Sequence, residues 1–133
     1  MNPPVVDCSV TAAWFLRDEL CPQADGVLSR VKNVGGAAPG LWWAEFRNVL
    51  LATERSGRLT SGDVATALTE VERLDIRLDH EPRGGFVMLL ARSHRLTAYD
   101  AIYLELALRQ QRPLATLDRH LARAATTEGV QLV

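Results

Sequence analysis

Apolar and polar positions change their period several times along the chain, and each change marks an element. Val5-Val6 is a short apolar run closed by Asp7, and Ser9 is placed to cap a helix carrying Ala12, Ala13, Trp14, Phe15 and Leu16. A second helix is predicted from Pro22 to about Val34, with Ala24, Val27, Leu28 and Val31 on one face and Gly35-Gly36 ending it. A brief strand follows at Ala37-Ala38. From Leu41 to about Ser56 the positions Trp42, Phe46, Val49 and Leu50 repeat at three and four, as a helix requires. Thr60-Ser61-Gly62-Asp63 is a capping-box pattern that opens the next helix, so these two helices form a hairpin.

In the second half Ile76 and Leu78 alternate with Arg77 and Asp79, the mark of a half-exposed strand. Phe86 to about Ser93 reads as a helix. Thr97 caps a longer one through Ala101, Leu104, Ala107 and Leu108 that ends near Gln111. Leu114-Ala115-Thr116 is a short strand, Asp118 opens a last helix reaching Gly129, and Val130 to Val133 is expected to close the sheet as a strand. Short strands separated by helices specify an α/β fold with a parallel sheet covered on both sides.

Composition narrows this picture in a few places. A length of 133 residues supports one core, hence one expected domain over 1–133. The apolar share of 47% and charged share of 23%, without low-complexity tracts or repeats, predict an ordered chain. No apolar stretch approaches the roughly 20 residues needed to cross a bilayer, and the start Met1-Asn2-Pro3-Pro4 lacks a secretory leader pattern, so a cytoplasmic location is expected. Cys8 and Cys21 are too few for a disulfide framework and lack zinc-site spacing, and His80, His94 and His120 are isolated. The net charge of -1 argues against binding through a broad positive field. Lys32 is the single lysine, however, so the basic residues are otherwise arginine, whose forked guanidinium suits local phosphate contacts.

Four acids then stand out. Asp7 and Asp118 each follow a strand, the position where functional crevices of open α/β sheets lie, although an Asp there also caps the following helix. Glu45 sits at the edge of an apolar helical stripe, where an ionised carboxylate is costly unless it is paired, for example with Arg47, or metal-bound. Asp100 shares a face with Tyr103, Leu104, Ala107 and Leu108, and Thr97-Ala98-Tyr99-Asp100 is also a capping-box pattern. If all four converge, each pair at about 5 Å repels by about 3 kcal/mol at an effective dielectric near 20, so a cation must fill the gap. An all-oxygen donor set suits Mg²⁺ or Mn²⁺.

The segments Val-Val-Asp7-Cys-Ser9-Val, Trp-Ala-Glu45-Phe-Arg-Asn48-Val-Leu, Leu-Thr-Ala-Tyr-Asp100-Ala-Ile-Tyr-Leu and Leu-Ala-Thr116-Leu-Asp118 resemble, in order, the motifs of PIN-domain ribonucleases. More narrowly, the chain is similar to the VapC toxins of toxin–antitoxin pairs over essentially its whole length. The resemblance implies a three-layer α/β/α sandwich with a short, mostly parallel sheet, and a Mg²⁺- or Mn²⁺-dependent endoribonuclease site. It places Asp7, Glu45, Asp100 and Asp118 on the family's acidic positions, with Ser9 and Thr116 as hydroxyls that support them. It further implies RNA as substrate, a cognate antitoxin that blocks the acids with a basic side chain, and a homodimer paired through helices, to which one ring of Trp42-Trp43 can contribute. The expected chemistry is in-line attack of a deprotonated water on the phosphodiester, leaving 3′-hydroxyl and 5′-phosphate ends.

Other classes fit less well. No His lies beside a nucleophile motif, and Cys8 next to Asp7 would have its thiol pKa raised, which disfavours Ser-His-Asp or Cys-His catalysis. Gly35-Gly36 and Gly84-Gly85 lack the pattern of a phosphate-cradling loop. A receiver-type phosphorylation domain would need a lysine after a late strand, and none is there. A catalytically silent PIN-like module whose acids grip a basic partner is the remaining alternative.

Overall fold

The computed structural model describes residues 2–16 and 20–133. Its elements run β1 (Val5–Val6), α1 (Cys8–Leu16), α2 (Pro22–Val34), β2 (Gly36–Pro39), α3 (Leu41–Arg55), α4 (Ser61–Glu72), β3 (Ile76–Asp79), α5 (Gly84–His94), α6 (Ala98–Gln110), β4 (Leu114–Ala115) and α7 (Arg119–Thr127). The four strands form one parallel sheet in the order β3-β2-β1-β4. Side chains of successive strand residues leave on opposite faces. Val5 and Leu114 accordingly join the core under α3 to α7, whereas Val6 and Ala115 pack with Val10 of α1 and Val27 and Val31 of α2. Helices therefore cover both faces, giving the α/β/α sandwich.

Local signals explain most boundaries. Thr60 and Asp63 exchange both bonds of a capping box at the start of α4. Pro22 stands at the first position of α2, where its missing N–H costs nothing. The exit of α2 needs Gly35: its φ is +79°, and a Cβ there would lie 2.9 Å from the Asp75 carbonyl oxygen. That close approach lets β2 pair in register with β3.

Two expectations change. The cap of α1 is Asp7 rather than Ser9: the Val10 N–H donates to Asp7 Oδ1 at 3.1 Å, and the Asp7 carbonyl accepts the first helical bond from Thr11. Asp7 wins because its shorter reach to the third N–H leaves Ser9 inside the first turn. The segment Val130–Val133 makes only an isolated parallel bridge, Leu132 to Leu114, because β4 is two residues long and spends its other edge on β1. Among the described residues no helix is long and apolar enough to cross a membrane.

A buried charge triad sits away from the four acids. Glu105 has no exposed surface and receives Arg109 Nε at 2.7 Å, and Arg109 also forks onto both oxygens of Asp79 at 3.0 and 2.6 Å. The guanidinium beside it holds the Asp79 carboxyl below its usual range. Removing one partner strands a buried charge, which outweighs the modest net value of the intact pair. Arg109→Met is expected to lose about 3 kcal/mol of unfolding free energy, measured by urea denaturation. A loss no larger than that of a surface substitution would contradict the triad's role.

Candidate active site

The strand order places a topological switch beside β1: the chain adds β2 and β3 on one side and returns to add β4 on the other. Loops leave such a point in opposite directions and open a crevice beyond the strand ends. Asp7 leaves β1 there, and Thr116, Leu117 and Asp118 leave β4 directly alongside. Asp7 is only 5% exposed. Its Oδ1 accepts the Ser9 hydroxyl at 2.6 Å and the Val10 N–H, and its Oδ2 accepts the Thr116 hydroxyl. These use three of about four lone-pair positions on a carboxylate. One side remains open.

The hydroxyls that hold Asp7 are themselves held. The Leu117 N–H donates to Ser9 Oγ at 2.9 Å, and the Asp118 N–H donates to Thr116 Oγ1 at 3.0 Å. Ser9 and Thr116 thus lock the end of β1 to the end of β4, the supporting position expected of them. Thr11, one helical turn after Asp7, returns its hydroxyl to the Asp7 carbonyl and accepts the Trp42 indole N–H at 2.9 Å. That bond fixes α3, which carries Glu45, against α1.

Glu45 is half-buried and accepts the Tyr103 hydroxyl on Oε1 at 2.5 Å. Its expected neighbour Arg47 faces elsewhere, stacked 3.7 Å over the exposed Trp43 ring and 3.6 Å from Glu72. Trp42 lies in the core and Trp43 is exposed, so the doublet is divided between core and surface rather than packed whole into the core. Asp100 enters the cluster from the first turn of α6. Thr97 Oγ1 accepts the Asp100 N–H at 3.1 Å, the forward half of a capping box, which aims the helix N-terminus at the crevice. Asp118 realises its capping alternative: Oδ1 accepts the His120 and Leu121 N–H groups at 2.8 and 3.1 Å, and among the described residues Oδ2 carries no donor.

Burial and mutual repulsion set the electrostatics. Burial raises the Asp7 carboxyl pKa above its ordinary value despite the Ser9, Thr116 and Val10 bonds, and the Asp100 charge adds to the rise. Glu45 is raised by burial, with Asp100 and Asp7 adding and the Tyr103 bond opposing. Asp100 is raised by burial and then by Asp118, with His120 and Thr97 opposing. Asp7, Glu45 and Asp100 each feel at least one other acid, and among the described residues no arginine or lysine pairs with any of the four. Burial, Glu45 and Asp7 push the Cys8 thiol up to about 12, so it stays protonated at neutral pH and is a poor nucleophile or ligand.

As placed, no three His, Cys, Asp or Glu side chains among the described residues stand close enough to share one ion. The donor chemistry is nonetheless all oxygen, and Mg²⁺ takes one or two carboxylates while keeping several waters, so the acids fit a hydrated cation rather than a closed protein cage. Of the six residues singled out in the sequence, Ser9 and Thr116 bond Asp7 directly and Asp118 bonds Thr116, whereas Glu45 and Asp100 are tied to the other acids only by charge. Tyr103 and Trp42 were missed as members of the site. The signal for Tyr103 was its position one turn after Asp100 on the same face.

Comparison with known proteins identifies the family. The PIN domain family model matches residues 5–126. Ribonuclease VapC3 of Mycobacterium tuberculosis is 32% identical over 130 residues, covering 92% of this chain and 90% of its own. Among solved structures, PAE2754 from Pyrobaculum aerophilum superposes with a TM-score of 0.73 at 25% identity, over 92% of this chain and 84% of that one. FitAcB from Neisseria gonorrhoeae gives 0.66 at 18% identity, over 96% and 94%. A toxin-antitoxin complex from Klebsiella pneumoniae gives 0.58 at 16% identity, over 86% of each chain. The last two are likenesses of fold.

The raised carboxyls fix a sign. At low pH both folded and unfolded states hold these protons; as pH rises from about 4 through the raised values, the native state retains protons the unfolded chain has released, and stability falls. Asp100→Asn is therefore expected to melt above the unsubstituted protein in metal-free buffer at neutral pH, with the gap closing towards about pH 4. Paired thermal melts followed by circular dichroism test this. Equal melting temperatures at neutral pH would remove the case for repulsion.

Proposed function

Because the chain belongs to the PIN-domain family and to its VapC-type ribonucleases, we propose that it is a divalent-metal-dependent endoribonuclease, one nuclease domain over 1–133 serving as the toxin of a cytoplasmic toxin–antitoxin pair. One observation supports the proposal: Asp7, Glu45 and Asp100, carried by three separate elements, have their proton affinity raised by burial and by one another or by Asp118, and among the described residues no arginine or lysine pairs with them. A stable domain tolerates that charge when a cation and a phosphodiester complete it. The similarity to Ribonuclease VapC3 supports RNA as the substrate.

Asp7 and Asp100 are the residues that would hold the principal Mg²⁺ or Mn²⁺, Asp118 would complete a weaker second position, and Ser9 and Thr116 orient Asp7 while opposing part of the rise that burial causes. A divalent cation bound there supplies Lewis-acid polarisation of the phosphate and acidifies water. Glu45, the acid at the inner wall, accepts a proton from the attacking water, a task suited to a carboxylate whose pKa lies above the ordinary range. The Tyr103 hydroxyl fixes which oxygen of Glu45 faces the crevice. In-line attack then breaks the bond from phosphorus to the 3′ oxygen, which takes a proton from solvent water, leaving 3′-hydroxyl and 5′-phosphate ends. A cognate antitoxin would silence the site by placing a basic side chain among the acids. Exposed Trp43 supplies apolar surface for that partner or for a homodimer contact.

Cleavage of RNA is expected only with added Mg²⁺ or Mn²⁺, and Asp7→Asn or Asp100→Asn should each reduce the rate by about a hundredfold or more. Fragment-end sequencing after reaction checks both. Metal-independent cleavage, or full activity in either variant, would overturn the reading, and a silent binding module would cut nothing under any condition. Tyr103→Phe removes a bond that lowers the Glu45 pKa. The acidic limb of its kcat/KM profile should therefore move to higher pH, and an unmoved limb would remove Glu45 as the base.

A further inference from the structure

At the opposite end of the sheet, a half-open cavity of about 490 Å³ lies among the residues preceding β1 and β4 and the ends of α6 and α7. Two of its lining residues are Arg30 of α2 and Arg112, which follows α6; Asn2 and Gln131 add amides, and Leu108 and Val130 give an apolar wall. Among the described residues no carboxylate lines it. The helix ends offset part of the positive charge, since each C-terminus carries about half a negative charge, which still leaves about one unit of positive charge in the cavity.

The donors are only partly used. Arg112 gives Nε to Gln110 and one terminal nitrogen to the Pro3 carbonyl at 3.2 Å. Arg30 gives one terminal nitrogen to the Asn2 carbonyl at 3.1 Å, and its Nε is buried with no partner among the described residues. That Nε is too enclosed for a ligand to reach, so the donors left for one are terminal: the second terminal nitrogen of Arg30 and that of Arg112 make no hydrogen bond among the described residues. Guanidinium groups match phosphoryl oxygens in geometry and charge. The volume lies within the range of small-molecule sites, and an apolar wall beside convergent polar groups is their common make-up.

We propose that this cavity binds a small phosphoryl-bearing ligand, with the phosphoryl group on Arg30 and Arg112 and any organic body against Leu108 and Val130. The site is separate from the acidic crevice and does not depend on its chemistry. Two sources share that chemistry, free phosphate and a nucleoside monophosphate. They differ in whether the apolar wall contributes.

The test is titration of the full chain with inorganic phosphate, adenosine 5′-monophosphate and adenosine, followed by amide NMR and calorimetry. Millimolar phosphate is expected to shift the Gly129 and Gln131 amides and leave those of Thr116 and Asp118 unmoved. Nucleotide binding tighter than phosphate would identify the nucleotide as the better ligand; equal affinity would identify the phosphoryl group alone; adenosine should not bind. Arg30→Gln should weaken binding by about tenfold or more. Arg30→Lys, which keeps the charge and loses the fork, should fall between. Arg112→Gln gives an independent reading should the Arg30 variants disturb α2. Unshifted amides with every ligand, or affinities unchanged in folded Arg30 and Arg112 variants, would overturn the proposal.

Discussion

A single buried carboxylate, Asp7, governs how the catalytic end of this molecule is put together. It ends the central strand, caps the first helix, and draws in hydroxyls from Ser9 and Thr116, so that β1 and β4 are joined at their tips through side chains as well as through the sheet. A buried carboxylate would ordinarily protonate or find a cationic partner. Here the donors around it are neutral, and the surrounding charge comes from further acids. The polarity of the crevice follows from that choice. Everything that fixes Asp7 in place also leaves its negative charge unbalanced.

Much of this was legible along the chain, because the devices that end elements are local. Pro22, Gly35, Thr60, Thr97 and Asp118 each act within a turn of themselves, and the helices they bound occur where the apolar repeat places them. The acidic positions were legible for the same reason: each sits at a strand end or on the inner edge of a helical stripe. Ser9 was misread as a cap because the first turn offered two short polar side chains, and only the three-dimensional contact with Leu117 shows that its hydroxyl is committed elsewhere. The closing strand was misread because apolar alternation at residues 130–133 says nothing about how little edge β4 has to offer.

Long-range pairings were out of reach. Tyr103 finds Glu45 across 58 positions, and Asp79 finds Arg109 across 30. No periodicity encodes either contact. Glu105 is the sharpest case, since its place among Leu104, Leu106 and Ala107 looks like a charge at the edge of an apolar run, yet it is fully buried. Its burial is tolerable only because Arg109 and the Arg83 N–H reach it. Such groups specify how α6 seats against β3 and α5, and they do so independently of the crevice at the other end of the same helix.

The bond between Thr116 and Asp7 spans 109 positions in the sequence, and this has a bearing on biosynthesis. A ribosome joins Asp7 and Glu45 early, but the hydroxyl that clamps the first of them, and the strand that carries it, are added more than a hundred residues after Asp7. Until then a growing chain holds Asp7 and Glu45 without the clamp that aligns the first of them.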